Sequence, residues 1–284
     1  MPEGRILVIT GPTASGKTEH ALDVARKNPN IEIVNADASL LYRRFDIGTA
    51  KPSKEVQNEV PHHVIDILGP DEPFNAAQYS ARARAEILQV FEKGKIPIVV
   101  GGTGLYIDAL FFGLPTIEVP SEDAKARYAT EFQAFGFDTM HERLREIDPD
   151  LYLQIRRERN PIRLERAWTH YYTTGEPLGS ARKRQAGRFP YDPEFTVLDR
   201  PRPVLWERIE ARVDAMIAGG WLEEARQLQD AGVTRTMPAM RAIGYGEMFD
   251  VLDGICSMEQ ARERIIVRTR QYAKRQETWM KKYR

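Results

Sequence analysis

Gly11-Pro12-Thr13-Ala14-Ser15-Gly16-Lys17-Thr18 fits the pattern G-x-x-x-x-G-K-[ST], a loop that cradles phosphate with its backbone. Glycine lets such a loop wrap closely, so successive N–H groups point at one anion, and the start of the next helix adds partial positive charge. Lys17 brings a full charge to the phosphate oxygens, and the Thr18 hydroxyl is placed to ligate Mg²⁺. The eight residues predict a di- or triphosphate site without naming the compound. ATP or GTP is the commonest occupant, which makes an ATP-dependent small-molecule kinase the default reading. A second chemical residue is Asp37, just past a short apolar run. The third apolar run ends instead in Gly101-Gly102-Thr103-Gly104, with no acid where a magnesium-holding Asp commonly sits. In an open α/β sheet strand ends face the ligand crevice, so Asp37 lies near the phosphate and can accept a proton or hold a metal.

These residues need strands and helices to place them. Residues 5–10 and 31–34 and Ile96–Val100 read as buried strands, closed by Gly11, Asn35-Ala36-Asp37 and Gly101-Gly102. A helix is expected from Gly16 with Ala21, Leu22 and Ala25 inward. Another is expected over 75–93, N-capped by Asn75, with Ala83, Ile87, Leu88 and Phe91 as its stripe. Strands alternating with helices imply α/β architecture with a parallel-sheet P-loop core like that of nucleotide kinases. From 115 to 194 the pattern changes to helical segments rich in Arg, Glu and aromatics and punctuated by proline. That reads as an inserted helical domain between core segments 1–114 and 195–284. Phe195–Leu198 is expected to return to the sheet. A helix from Val204 follows, with Leu205, Ile209, Val213, Met216 and Ile217 on one face.

The 284 residues carry 41 basic and 41 acidic side chains, and zero net charge alone argues against nucleic acid. The distribution argues otherwise. Residues 156–188 hold nine Arg or Lys against three Glu, and 262–284 hold nine against two. Local basic surface of this kind suits a phosphate backbone, although two solvated helix faces would look the same. The single cysteine, Cys256, excludes an internal disulfide and a cysteine-rich zinc site. No apolar run reaches the roughly 20 residues that span a bilayer, and no leader peptide is seen, so the expectation is a cytoplasmic protein without membrane attachment.

Several strings together resemble the tRNA dimethylallyltransferases (isopentenyl-tRNA transferases). They are residues 11–18, Asn35-Ala36-Asp37 with Tyr42, Asp46-Ile47-Gly48-Thr49-Ala50-Lys51-Pro52, Pro61-His62-His63-Val64-Ile65-Asp66, Gly101–Tyr106 and Arg270–Gln276. Asn160-Pro161 with Arg163 and Arg166-Ala167, then Thr174-Gly175-Glu176-Pro177, extend the likeness through the insertion. The resemblance implies a cradle that holds dimethylallyl diphosphate without nucleotide hydrolysis, and Mg²⁺ assisting departure of pyrophosphate. It implies Asp37 as general base for the adenosine N6 amine beside the anticodon, Thr103 beside the reacting centre, Lys17 as a catalytic charge and Arg212 on the pyrophosphate. It also implies tRNA contacts from Asp37, Ala38, Ser39 and Leu40 and from Ile162, Arg163, Leu164, Glu165 and Arg166. The insertion would grip the anticodon stem-loop with a flipped target base, and the protein would act as a monomer of bacterial type without the eukaryotic zinc finger.

The chain departs from that family at Ala38 and Leu40, where polar side chains are usual, and at Gly246, where many members carry Arg. Trp168, Tyr171, Tyr172 and Phe189 are candidate base-stacking residues, with core packing the favoured reading for each. Met237, Met240 and Met248 read as core filler rather than a prenyl pocket. His62 is either a substrate contact or a structural hydrogen bond, and Arg241 is a candidate phosphate contact. Besides the kinase, a prenyltransferase acting on free AMP or ADP and a non-catalytic RNA binder remain as rivals. Neither needs both an intact Lys17, Thr18 and Asp37 and a large Arg-rich insertion.

Overall fold

The computed structural model describes residues 5–115, 117–183 and 185–284. Contacts divide the chain into two compact units, 1–111 with 189–284, and 112–188. In the first unit the chain runs β1 (Arg5–Thr10), α1 (Lys17–Lys27), β2 (Ile31–Asn35), α2 (Lys54–Glu59), β3 (His62–His63), α3 (Ala76–Glu92), β4 (Ile96–Gly101) and α4 (Gly104–Phe111). The second unit contains β5 (Leu114–Pro115), α5 (Glu122–Ile147), α6 (Pro149–Glu158), α7 (Pro161–Thr174), α8 (Leu178–Lys183) and β6 (Gln185–Ala186). The chain then re-enters the first unit as β7 (Asp192–Val197), α9 (Arg202–Ala218), α10 (Trp221–Asp230), α11 (Tyr245–Leu252) and α12 (Met258–Met280).

The sheet is parallel, in the order β3-β2-β4-β1-β7. Its central strands are mostly apolar because helices cover them, with the buried Glu32 of β2 an exception. Register matters most at their C-terminal ends. Thr10 lies opposite Gly101 and Val197, and Asn35 lies opposite Val100, so the loops after β1, β2 and β4 leave from one edge. Thr10 Oγ1 donates to the Gly101 carbonyl at 2.8 Å and locks two of those ends together. Ala21 and Ala25 of α1 pack on Ile9, Ile31, Ile33 and Ile98, where small residues let the helix lie close.

The helix α3 begins at an Asn75 capping box with Gln78, but its buried stripe differs from expectation. Tyr79, Ala83, Ile87 and Val90 face inward and Leu88 is 40% exposed, because the Tyr79 hydroxyl anchors the face by donating to the Asn35 carbonyl at 2.9 Å. On α9, Leu205, Ile209, Val213 and Met216 are buried, and Ile217 only partly. The returning strand starts at Asp192, earlier than its apolar residues suggest, because backbone pairing with β1 extends through polar Asp192 and Pro193. Trp221, Tyr245, Phe249 and Phe45 form a second core in the first unit, joined by Met248 and flanked by Met237 and Met240.

The second unit has its own core of Tyr128, Met140, Leu144, Leu151, Ile155, Leu164 and Trp168. α5 is broken at Gly136, whose φ of 69° suits glycine alone. Asn160 caps α7 by accepting from the Ile162 and Arg163 amides, and Gly175 in a left-handed conformation ends it. Trp168 donates its indole N–H to the Met140 carbonyl at 3.1 Å, so it is a core residue. Phe189 is buried too, against Phe111 and Tyr191 of the first unit.

Candidate active site

The phosphate loop is shaped by left-handed backbone at Ala14 (φ 63°) and Gly16 (φ 99°). Gly11 has no room for a side chain, since a Cβ there would lie 2.5 Å from the Leu198 carbonyl oxygen. Arg208 Nε donates to the Ala14 carbonyl at 2.8 Å and Arg200 Nε to that of Ser15 at 3.4 Å, which ties down two loop carbonyls. The Ser15 hydroxyl is buried with no hydrogen-bond partner, an orphan that an anion in the cradle would satisfy. Lys17 Nζ folds back onto the Pro12 carbonyl at 2.8 Å. Burial lowers the Lys17 ammonium to about 8, opposed by the charge of Asp37 and reinforced by Arg212. Thr18 is exposed at the start of α1.

Asp37 stands where β2 ends. Asn35 fixes the turn: its Nδ2 donates to the carbonyls of Asp37 and Val64, both at 2.9 Å, and its Oδ1 accepts from the Asp37 amide at 2.9 Å. Asp37 Oδ1 accepts from the Ser39 amide at 3.0 Å and hydroxyl at 2.7 Å, capping the 3₁₀ turn Ala38–Leu41. Both bonds fall on one oxygen, which leaves Oδ2 to take a proton. From β4, the Thr103 amide donates to the Ala36 carbonyl at 3.1 Å, and Thr103 Oγ1 accepts from the Ala38 amide at 3.0 Å. Gly101 permits this crossing, because a Cβ would sit 2.1 Å from the Ala36 carbonyl carbon.

Arg212 of α9 donates to the Thr49 carbonyl at 3.3 Å. Burial lowers its guanidinium and the Asp37 charge raises it, so Lys17, Arg212 and Asp37 form one electrostatic group. Thr13, Asp37, Thr103 and Arg212 line a cavity of about 510 Å³ with Arg241, Arg268, Tyr272 and Arg275. An apolar wall of Ile209, Val213, Met216, Trp221, Ile243 and Ile265 faces them. The cavity joins cations for a diphosphate, a carboxylate, and greasy surface for a short hydrocarbon.

The string 46–52 supports this site from behind. The Glu224 carboxylate accepts from the amides of Asp46 (3.1 Å), Ile47 (2.8 Å) and Gly48 (3.3 Å) and from the Tyr245 hydroxyl (2.6 Å). Lys51 Nζ binds the Tyr42 carbonyl (2.7 Å), Asp46 (2.7 Å) and Asp66 (2.5 Å). The loop so held presents the Thr49 carbonyl to Arg212. His62 and His63 are structural: His62 Nδ1 meets the Val60 carbonyl at 2.6 Å, and His63 bridges Glu86 (2.9 Å) and Glu32 (2.7 Å).

Among the remaining expected contacts, Ile162, Glu165 and Arg166 are exposed and Arg163 is half-buried. Leu164 is a correction: it is fully buried in the second unit's core, because helical periodicity turns it opposite to its neighbours. Arg163 and Arg166 lie close enough to Arg182 to lower its guanidinium, after burial, so three cations gather there. The side chains of Arg157 and Lys183, and all of Arg184, lie outside the described residues. Three residues of the first unit had no role assigned from the sequence: Tyr272 and Gln276, within the string Arg270–Gln276, and Glu224. Tyr272 lies beside Thr103 and Gln276, and burial raises its phenol, keeping it neutral. Their signal was faint, since a polar residue on the Arg-rich α12, or a Glu in the first turn of α10, reads as solvent-facing.

A parallel sheet with a phosphate-loop sequence after β1, an acid after β2 and a Gly-rich turn after β4 defines a P-loop α/β enzyme. The chain belongs to the IPP transferase family, whose model matches residues 40–283. It is 43% identical over 277 residues to a tRNA dimethylallyltransferase of Syntrophobacter fumaroxidans, covering 97% of this chain and 80% of the relative. It is 44% identical over 276 residues to tRNA dimethylallyltransferase 1 of Pelobacter propionicus, covering 97% and 89%. Among solved structures, the tRNA isopentenylpyrophosphate transferase of Bacillus halodurans superposes with a TM-score of 0.69 at 36% identity, over 98% of this chain and 86% of that one. A eukaryotic dimethylallyltransferase described as acting on tRNA gives 0.79 at 28% identity, over 97% and 69%. These relatives are transferases, and the kinase reading finds no support among them. Among the described residues, no helix is long and apolar enough to cross a membrane.

Proposed function

We propose that this chain transfers a dimethylallyl group from dimethylallyl diphosphate to N6 of the adenosine 3′ of a tRNA anticodon and releases pyrophosphate. The observation that carries the reading is that Asp37 and Arg212 line a cavity with one apolar wall, with the buried Lys17 ammonium in electrostatic reach of both. The diphosphate sits in the loop 11–18, where backbone N–H groups, the orphan Ser15 hydroxyl, Lys17 and Arg212 stabilise the charge that grows on the leaving group. The N6 nitrogen forms a bond to the allylic carbon as the carbon–oxygen bond to diphosphate breaks. Its proton passes to Asp37, held by Ser39 and Asn35, and the electron pair of the broken bond leaves with pyrophosphate. Thr103 holds the Ala38 end of that turn beside the reacting centre.

A Mg²⁺ ion would be held mostly by substrate oxygens, since magnesium commonly takes few protein ligands and several phosphate oxygens. Thr18 would hold it, and the ion would neutralise charge on the leaving pyrophosphate. Arg163, Arg166 and Arg182 supply the positive surface for the anticodon stem-loop. Recognition near Asp37 falls to backbone and to Ser39, since Ala38 and Leu40 offer no polar side chains. The described residues lining the cavity all belong to the first unit, which supports a monomer, and a tRNA acceptor supports a cytoplasmic enzyme.

The test is transfer of label from radiolabelled dimethylallyl diphosphate to unmodified tRNA with Mg²⁺ and no ATP. Incorporation into tRNA but not AMP is expected, falling by roughly 10²–10⁴-fold in Asp37→Asn. ATP hydrolysis without incorporation would overturn the reading.

A further inference from the structure

The string Arg270–Gln276 ends in a glutamine that is neither charged nor nucleophilic. Gln276 is 4% exposed on α12, far along the chain from the phosphate loop. Its Oε1 accepts from the Thr13 amide at 2.8 Å, and its Nε2 donates to the Gly102 carbonyl at 2.9 Å. One side-chain amide therefore spans the loop that holds the leaving group and the turn that carries Thr103. The turn is built for this approach. A Cβ on Gly102 would lie 2.3 Å from Gln276 Nε2, and one on Gly104 would lie 2.2 Å from the Trp279 ring. One turn earlier Tyr272 lies beside Thr103, and further on the Tyr283 hydroxyl donates to Asp108 of α4 at 2.6 Å. The helix is thereby pinned at both ends of the bridge.

We propose that Gln276 is a positioning residue that sets the register between the diphosphate cradle and the Asp37–Thr103 pair, so that the allylic carbon and the attacking amine meet in line. The role rests on the transferase reading. Each loop has its own hydrogen bonds and keeps its shape without Gln276, so loss of the bridge leaves pyrophosphate binding in place and misaligns the two halves. A misplacement near 1 Å costs roughly 10²-fold in rate.

The experiment compares wild type, Gln276→Met and Gln276→Glu in prenyl transfer to tRNA, with pyrophosphate binding by calorimetry and thermal melts alongside. Gln276→Met, of similar volume with neither bond, is expected to lose about 10²-fold in kcat with pyrophosphate affinity nearly unchanged. Gln276→Glu separates alignment from folding. Protonated, its carboxyl accepts from Thr13 and donates to Gly102 as glutamine does; ionised, it cannot donate and repels the carbonyl. Burial raises such a carboxyl, so its activity should fall as pH rises through roughly 5–8 while wild type does not follow. Wild-type kcat in Gln276→Met, or a wild-type pH profile in Gln276→Glu, overturns the positioning role. Should Gln276→Met fail to fold, the pH profile of Gln276→Glu decides alone. Absence of transfer by wild type overturns the transferase reading and this role with it.

Discussion

Lys17 carries the most pH-sensitive charge in the cradle. With its ammonium lowered to about 8 by burial, the folded chain gives up that proton before the unfolded chain does. Below about 8 the charge that binds diphosphate is present; above it the free enzyme's cradle loses a unit of positive charge. Pyrophosphate affinity is therefore expected to fall as pH rises from 7 to 9.5. A Lys17→Arg variant, charged throughout, should lack that fall, as titration calorimetry across the range would show. Stability moves the other way: the unfolded chain binds more protons between about 8 and 10.5, so this residue's contribution to stability rises with pH there. The candidate residues at 11–18 and Asp37 were legible because phosphate binding and proton transfer need fixed types at fixed spacings. Gln276 and Tyr272 were not, because their value lies in where α12 is laid and not in their neighbours in sequence.

Among the elements, the loop 46–52 depends on one carboxylate. Glu224 gathers three backbone N–H groups and a phenol, and the loop passes that order to Arg212 through the Thr49 carbonyl. Removing it leaves the buried Tyr245 hydroxyl and the partly buried Ile47 and Gly48 amides without this acceptor, at a cost of about 1–3 kcal/mol. Glu224→Ala is expected to lower the melting temperature and to raise KM for the allylic donor more than it lowers kcat. Steady-state kinetics beside a thermal melt would check both. Buried strands and capped helices were readable here: β1, β2, β4 and the Asn75 cap stand where apolar runs and cap residues put them. Three features were hidden. β3 is two histidines long, β7 opens with Asp-Pro, and the inward face of α3 is set by a hydrogen bond from Tyr79 rather than by hydrophobicity alone.

For the whole molecule, zero net charge conceals a division of labour. Cations concentrate in 156–188 and 262–284 while the rest of the chain is acidic. A polyanion bound through such patches releases counterions, so log Kd for tRNA should rise linearly with log salt concentration. Arg166→Ala should reduce that slope by roughly 0.7–0.9, weakening binding about equally for different tRNAs. Filter binding at several salt concentrations measures it. An unchanged slope would remove Arg166 from the interface.

The strand order has a consequence for how the chain is made. β1 lies between β4 and β7, yet β4 ends at residue 101 and β7 begins at residue 192. The intervening second unit takes a ribosome on the order of ten seconds to synthesise. Through that interval β1, an apolar strand meant for the interior of a sheet, presents an unpaired edge to whatever strands are nearby. Slower elongation through 112–188 prolongs the hazard, and a chaperone that covers nascent β1 shortens it. The inserted unit thus acts as a delay line in the birth of the core it interrupts.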